Sequence, residues 1–370
     1  MNIFVILFFI LSFKDLFLNR RPEARLILFF WGIVVSILVV YSLLLGNDPK
    51  LVIRFSVIIF LLISAYYVSP RKIFIDIFLI VISIQALFLI WFELYMMENF
   101  TAADYSPIRN YFRNMDWGDV YTYGGSIWKI QLLGNALIPF AFFTSVVYLR
   151  GFMRIFASIL FLMALLIAGN FAFIIGTLLF SVSFFVIHLT TFNRLVVGVI
   201  FIVVLSTIIA IPALDYLFQV IESKSISSNQ IRIDQIMVLV DDMSSTFRSI
   251  IFGNGLGHTV DVRTNWRDYT GDIYYELQAL YFVNQMGSLV VFFIIFNILC
   301  IYMFIRNTYA LMIYFSYLFY ALFNPYFLDT NHIVAIIVSV SVSHVLTSRE
   351  GVSDAYTVIS DYGVYGARRL

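Results

Sequence analysis

Charged residues are scarce in this 370-residue chain, and their scarcity excludes an ordinary water-soluble protein. Asp, Glu, Lys and Arg make up 12% of the residues, whereas apolar residues make up 62%. A soluble globular domain is about a quarter charged and about half apolar. Because a soluble fold could not bury so much apolar surface, we expect lipid to cover a large part of it.

The chain also has one cysteine, no two acidic residues two positions apart and a net charge near zero. Each of these features argues against a class of site or partner. The single cysteine, Cys300, allows neither an intramolecular disulfide nor a cysteine-based zinc cluster. No two acidic residues lie two positions apart, which disfavours a nucleotide-sugar enzyme that depends on an Asp-x-Asp metal site. The net charge of +1 gives no support for nucleic-acid binding. We therefore expect no metal, no cofactor and no nucleic-acid partner.

Long apolar runs dominate the composition, and their lengths match a membrane span. A transmembrane helix needs about 20 mainly apolar residues, with a range of about 17–25. The runs predict an all-α, polytopic bundle of about eleven transmembrane helices, the first of them retained rather than cleaved as a signal peptide. The predicted spans are 2–18, 26–45, 51–69, 72–95, 127–148, 152–168, 171–191, 195–213, 287–305, 308–323 and 332–347.

Twelve basic residues fall in alternate loops between these spans and in the C-terminal tail, all on one side of the predicted bundle. Cytoplasmic loops carry an excess of Lys and Arg, so this side is predicted to be cytoplasmic. The N-terminus is then external and the C-terminus cytoplasmic. The basic residues are Arg20, Arg21, Arg25, Arg71, Lys72, Arg150, Arg154, Arg194, Arg306, Arg349, Arg368 and Arg369.

The predicted organisation has four parts. Residues 1–213 hold the first eight helices and a polar external loop near 96–126, and residues 214–286 form a large external loop. Residues 287–347 hold the last three helices, and residues 348–370 form a cytoplasmic tail. Long polar loops usually carry function, so 214–286 is the predicted catalytic region. Within it, 230–243 is predicted to be an amphipathic helix suited to the membrane interface.

Four arginines of the large loop, Arg232, Arg248, Arg263 and Arg267, are candidate ligands for a diphosphate. Guanidinium groups match phosphate oxygens in a bidentate geometry and remain charged. Arg263 and Arg267 are four residues apart, so a helix would place them on one face. The alternative for each arginine is a solvated or carboxylate-paired surface role.

Glu276 and His258 are the candidate catalytic proton acceptors, because transfer to a sugar hydroxyl is helped by a base. The alternatives are a residue at a helix start for Glu276 and a loop histidine with a local partner for His258. Trp266 and Tyr274 are candidate sugar-stacking residues, with a membrane-interface role as the alternative. His332 follows Asp329 near the outer end of the last helix and is expected to line the same external cavity.

The glycine-dense segment 253–257, Gly-Asn-Gly-Leu-Gly, is the remaining feature of the large loop. Glycines allow a sharp backbone path whose exposed N–H groups can cradle an anion. The segment lacks the final glycine of a dinucleotide fingerprint and the Lys-Ser/Thr of a P-loop. A plain turn is the alternative reading.

The order of these features resembles the O-antigen polymerase (Wzy-type) and O-antigen ligase family of bacterial membrane glycosyltransferases. Ligases commonly carry a histidine at the late position where this chain has Glu276, which favours a polymerase over a ligase. The residues that carry the resemblance are Gly134-Asn135-Ala136 after an external loop, Arg232, the segment Ile250-Ile-Phe-Gly253-Asn-Gly255-Leu-Gly257, Glu276 and Gly287.

The resemblance implies a GT-C-like bundle of the bacterial inner membrane that works without metal or nucleotide sugar. Such an enzyme transfers the growing glycan from undecaprenyl diphosphate to a new lipid-linked repeat unit on the external face. Its partners are then undecaprenyl-diphosphate-linked oligosaccharide and membrane lipid, with a polysaccharide chain-length regulator as a further candidate.

Two other functions remain open at this point. An O-antigen ligase would use the same loop but transfer finished glycan to lipid A-core. A lipid-linked oligosaccharide flippase or other transporter belongs to a different class. Transporters usually carry short loops and internal repeats, and the long loop and lack of a visible repeat disfavour that reading.

Overall fold

Helices make up most of the chain in the computed structural model, which describes residues 22–115, 117–123, 127–132, 134–188, 230–265, 268–273 and 275–366. Within these ranges, six helices are long and apolar enough to cross a membrane. They are Arg25–Leu44, Pro49–Tyr67, Lys72–Asn99, Gly151–Ala168, Gln278–Phe304 and Thr330–Ser348. Shorter apolar helices are Asn135–Tyr148, Phe171–Ile187 and Thr308–Leu322. The prediction of a mainly helical chain with several helices long and apolar enough to span a membrane is confirmed.

The helices follow one another in an order that we number along the described chain. In that order they are α1 (Pro22–Leu44), α2 (Pro49–Ser64), α3 (Lys72–Asn99), α4 (Tyr105–Asn114), α5 (Ile138–Tyr148), α6 (Gly151–Ala168), α7 (Phe171–His188), α8 (230–244), α9 (Phe247–Phe252), α10 (Gln278–Met286), α11 (Val290–Phe304), α12 (Thr308–Leu322) and α13 (Thr330–Gly366). Short 3₁₀ turns extend α2, precede α5 and join α10 to α11. The predicted spans 2–18 and 195–213 lie outside the described residues.

Local sequence signals explain where several of these helices begin and end. The Asp48 side chain accepts a hydrogen bond from the Lys50 N–H at 2.9 Å, and Pro49 occupies the first turn of α2. Asn307 caps α12 in the same way by accepting from the Tyr309 N–H at 3.0 Å. Gly169 ends α6 in the left-handed conformation, with φ of 57°.

The prediction of a helix over 127–148 is wrong in its first part. Residues Ile127–Leu132 form strand β2, which pairs antiparallel with β1, Gly118–Tyr123. The Trp128 N–H donates to the buried Glu93 carboxylate on α3 at 2.9 Å. Gly134 then adopts φ of 95°, and the helix begins only after this turn. The apolar side chains of β2 made the run look continuous with α5.

The predicted external loop near 96–126 is an organised cap rather than a plain connection. Asp119 on β1 accepts hydrogen bonds from Arg109 Nε at 2.8 Å and from Arg113 Nη2 at 2.6 Å, both arginines lying on α4. Burial acts to raise the pKa of Asp119, but the two arginines outweigh it and lower that pKa to about 2. The ionised carboxylate therefore ties α4 to the hairpin.

Helix α13 lies in the interior of the bundle, and its contacts define two ends of the molecule. Ser341 and Ser343 accept hydrogen bonds from the backbone N–H groups of Arg71 and Arg306, so these basic loops meet at one end, called the basic end. At the opposite end, the Leu328 N–H donates to Gln278 Oε1 at 2.7 Å. We call this second end, which carries α8, α9 and the start of α10, the site end.

Candidate functional site

The sequence candidates Arg232 and Glu276 meet at the site end, although 44 residues separate them in the chain. Arg232 lies in the first turn of α8, and Glu276 lies just before α10. The distance from Arg232 Nε to Glu276 Oε2 is 3.1 Å, and the side chains are 38% and 36% exposed. Both groups are therefore accessible from outside the protein while they hold one another.

Hydrogen bonds between the two segments fix this pair. The Leu277 N–H donates to Gln235 Oε1 at 3.2 Å, which joins the residue after Glu276 to α8. The Tyr269 hydroxyl donates to the Ile231 carbonyl at 3.3 Å, next to Arg232. Because Gln235 and Tyr269 are fully buried, these contacts hold the first turns of α8 against the 269–277 segment.

Three further residues extend the pair into a larger polar cluster. Tyr326 and Asp329 lie in the turn between α12 and α13, and burial, followed by the negative charges of Asp329 and Glu276, raises the pKa of the Tyr326 hydroxyl. Asp329 interacts in turn with Arg54 on α2. We call Arg54, Arg232, Glu276, Tyr326 and Asp329 the arginine–carboxylate cluster. It combines two guanidinium groups and two carboxylates drawn from four separate segments.

Asp329 was not singled out as a site residue from the sequence. Its carboxylate accepts hydrogen bonds from the Thr330 N–H at 2.6 Å and from the Asn331 side chain, at the start of α13. Burial raises the pKa of Asp329, while these hydrogen bonds and Arg54 act in the opposite direction. The polar sequence Asp-Thr-Asn-His just before the last apolar run is the signal from which it could have been identified.

His332 does not line an external cavity, contrary to the sequence expectation. Its side chain is fully buried, and its Nε2 lies 2.9 Å from the Tyr314 hydroxyl. Its Nδ1 lies 2.8 Å from the carbonyl of Phe327. With both ring nitrogens occupied inside the bundle, His332 has a structural role.

The other candidate base, His258, belongs to a second cluster at the far end of α8. Asp242 Oδ2 lies 3.0 Å from His258 Nε2 and accepts hydrogen bonds from the side-chain amides of Asn254 and Asn284, each at 2.8 Å. Burial acts to raise the pKa of Asp242, but these three partners outweigh it and hold that pKa below its usual range. We call these four residues the aspartate–histidine cluster.

The two clusters occupy different places on α8. Arg232 and Asp242 are ten residues apart, which corresponds to about 15 Å along a helix with a rise of about 1.5 Å per residue. Hydrogen-bond reach is about 3 Å. Glu276 and His258 therefore stand at separate positions, and a single reacting hydroxyl would contact only one of them.

The backbone N–H groups of the glycine segment, 253–257, are all used inside the protein. Those of Asn254 and Gly255 donate to the backbone carbonyls of Asn284 and Gln285 at 2.9 and 3.0 Å. Leu256 donates to Ser42 Oγ at 2.6 Å, and Gly257 donates to Gln285 Oε1 at 3.2 Å. Gly253 donates to the carbonyl of Ser249 at 2.9 Å. The segment is a packed turn. None of its backbone N–H groups remains to bind an anion, so the interpretation as an anion cradle is not supported.

The remaining sequence candidates are spread over the site end. Arg248 is exposed on α9, and Arg263 is paired at 2.8 Å with Asp268 on an exposed turn. Trp266, Arg267 and Tyr274 lie outside the described residues. Of the three predicted diphosphate ligands that the structure describes, Arg232 is thus the one that lies in the arginine–carboxylate cluster.

Comparison with known proteins adds no further assignment. No protein-family model, curated protein or solved structure matches the chain. Among the described residues, no three His, Cys, Asp or Glu side chains form a group that could hold a metal ion. The chemistry of the two clusters is therefore the basis for a functional proposal.

Proposed function

We propose that this chain is a metal-independent membrane glycosyltransferase that polymerises lipid-linked oligosaccharide repeat units, as its resemblance to O-antigen polymerases implies. The growing glycan would leave undecaprenyl diphosphate and join a new lipid-linked repeat unit. The reaction would take place at the site end, on the external face of the bacterial inner membrane. No cofactor takes part in this proposal.

The observation that carries the proposal is the accessible ion pair of Arg232 and Glu276. A diphosphate leaving group carries negative charge that guanidinium groups neutralise through charge-assisted hydrogen bonds. Arg232 would bind the diphosphate. Since Arg232 is already paired with a carboxylate, a bound diphosphate would compete with Glu276 for the guanidinium group.

When the diphosphate binds Arg232, it would release the Glu276 carboxylate, which can then accept a proton. The acceptor sugar hydroxyl attacks the anomeric carbon of the donor, a new C–O bond forms, and the bond to the diphosphate oxygen breaks. The hydroxyl proton passes to the Glu276 carboxylate, and the polyprenyl diphosphate leaves with the bonding electron pair. Positioning of the two substrates and neutralisation of the departing charge supply the catalysis.

Variants in a strain that lacks the native gene test this proposal by the banding pattern of the surface glycan. Arg232→Ala and Glu276→Gln should abolish chains longer than one repeat while single-repeat product remains. Arg113→Ala is the matched control, because Arg113 is also paired with a carboxylate but lies in the α4 cap. Normal banding in the Arg232 and Glu276 variants would contradict the proposal.

The same strain distinguishes the alternative functions. Loss of all surface glycan, including the single-repeat product, would indicate a ligase rather than a polymerase. A purified protein that lengthens lipid-linked repeats without an added energy source would exclude a transporter. Folding is not expected to confound these variants, because an ion pair as exposed as Arg232–Glu276 contributes about 0–1 kcal/mol to stability.

A further inference from the structure

Helix α8 carries an apolar stripe on the side that faces away from the protein. Ile233, Ile236, Met237 and Val240 are all exposed, and Met237 is 52% exposed. Their spacing of three, four and seven residues places them on one face of a helix. The opposite face, which includes Gln235 and Leu239, is buried. An exposed apolar stripe of this length on a helix outside the membrane spans requires a partner.

Helix α9 continues this apolar surface after a short turn. Phe247, Ile250 and Phe252 are exposed, and Phe247 is the most exposed of them at 77%. Arg248 lies between them and is itself exposed. A lone guanidinium group among large exposed apolar side chains matches the composition of a helix that rests at a lipid surface.

The contacts of α9 place it at the level of the membrane boundary. The Tyr41 hydroxyl donates to the carbonyl of Gly253, the residue after α9, at 2.9 Å. The rings of Tyr41 and Phe252 lie 6.1 Å apart. Because Tyr41 lies three residues before the end of the span Arg25–Leu44, α9 sits about 5 Å inside the end of that helix.

A second membrane span also contacts α9. Ser288 Oγ donates to the Ile251 carbonyl at 2.8 Å, and Ser288 lies within the span Gln278–Phe304. Two independent spans therefore hold α9 beside their own lipid-facing surfaces. Each of these spans also has an exposed apolar side chain three residues beyond its contact with α9, Leu44 after Tyr41 and Val291 after Ser288.

We propose that α8 and α9 lie in the boundary between the lipid headgroups and the acyl chains, with their exposed apolar side chains inserted into the leaflet. Arg248 reaches the headgroup phosphates, whose charge it complements. The partner is the phospholipid leaflet itself, because the surface adjoins two membrane spans and carries one cation. This inference stands independently of the proposed function.

If α8 lies at the membrane interface, the depth of Arg232 relative to the lipid leaflet is also determined. Arg232 lies one residue before Ile233, at the edge of the apolar stripe. The guanidinium group would then stand at the level of lipid headgroups. Phosphate groups attached directly to a lipid chain occupy the same level.

Site-directed fluorescence in reconstituted full-length protein tests the insertion. The background is Cys300→Ala, which removes the single cysteine. Single cysteines replace Met237, Val240 or Ile250 and carry an environment-sensitive fluorophore, in vesicles of phosphatidylethanolamine and phosphatidylglycerol. Asp261→Cys and Thr270→Cys are the controls, because both residues are exposed in the polar part of the loop.

The stripe labels should emit at shorter wavelength than the controls and should be quenched by nitroxide lipids but not by aqueous iodide. The controls should show the reverse pattern. Stripe labels as accessible to iodide as the controls would overturn the inference. Labels protected from both quenchers would also overturn it, since protein rather than lipid would then cover the stripe. Ile236→Cys replaces any stripe variant that fails a thermal-unfolding check.

Discussion

Single side chains at the site end are held mainly by partners that are distant in the sequence. Arg232 meets Glu276, and Asp242 meets His258, Asn254 and Asn284. The ion pair is half-exposed and contributes little to folding, whereas the partners of Asp242 are largely buried. The first pair is therefore suited to exchange partners, and the second is suited to hold the loop together.

The structural role of Asp242 can be tested by replacing it and measuring how protein stability depends on pH. Because the pKa of Asp242 is lowered in the folded protein, its carboxylate stabilises the fold above its ordinary pKa of about 3.9, and that stability is lost as pH falls through the lowered folded value. Asp242→Asn keeps one acceptor oxygen but removes the negative charge toward which Asn254, Asn284 and His258 point, and hydrogen bonds to charged groups contribute about 1.5–3 kcal/mol against about 0.5–1.5 kcal/mol for neutral ones.

The measurement is the thermal-unfolding midpoint in detergent from neutral to acidic pH. Asp242→Asn should unfold at lower temperature than the natural protein at neutral pH and should lose less of its stability on acidification. Asp241→Asn is the matched control, since Asp241 is the neighbouring carboxylate and is exposed. Identical pH dependence in the two variants would remove Asp242 from this role.

The sequence identified several of these residues but not their arrangement. Arg232 and Glu276 were predicted from chemistry and order, yet a pairing across 44 residues leaves no local periodic signal. Tyr326 and Asp329 join them from a turn that follows a different helix. Asp242 was visible only as part of the polar face of α8. Each of these contacts depends on tertiary packing, which one sequence does not encode in any short window.

At the scale of elements, apolar periodicity predicted the helices well and the hairpin poorly. The interfacial helix predicted at 230–243 is confirmed as a helix at 230–244. Strand β2 was missed because Ile127, Trp128, Ile130 and Leu132 are as apolar as the helix that follows. Hydropathy alone does not separate a short buried strand from the first turns of a span.

The glycine segment offers a test at this scale, because two glycines with similar φ differ in their surroundings. Gly253 has φ of 75°, and an added Cβ would lie 2.6 Å from the Gly287 nitrogen and would overlap the Gln285 carbonyl. Gly271 has φ of 68° but no atom within 4 Å of such a Cβ. Backbone strain alone costs about 1–3 kcal/mol for a non-glycine residue in these conformations.

Gly253→Ala should therefore prevent stable folding, whereas Gly271→Ala should cost only the strain and remain folded. Thermal unfolding and gel filtration in detergent measure the difference. Equal losses in the two variants would mean that the packing of residues 253–257 against 284–287 does not matter for stability.

For the whole molecule, the separation of the basic end from the site end leads to a prediction of membrane sidedness. Lys50 is exposed at the site end, where Asn47 Nδ2 donates to the Asn254 carbonyl at 3.0 Å. Lys72 and Arg150 are exposed at the basic end. The excess of basic residues predicts that the basic end faces the cytoplasm.

Cysteine labelling in intact cells, in the Cys300→Ala background, measures this orientation. A membrane-impermeant maleimide should label Lys50→Cys and Asp261→Cys directly. Lys72→Cys and Arg150→Cys should react only after the cells are permeabilised. The reverse result would place the arginine–carboxylate cluster in the cytosol and would eliminate the proposed reaction on the external face.

The contact between Gly253 and Gly287 makes the loop and a membrane helix move as one body. Gly287, with φ of 57°, lies at the bend between α10 and α11, and a Cβ there would meet the carbonyl of Ile250 at 2.7 Å. Neither backbone can shift without the other. A chimera that exchanges residues 230–276 with those of another protein would therefore have to carry the bend along as well.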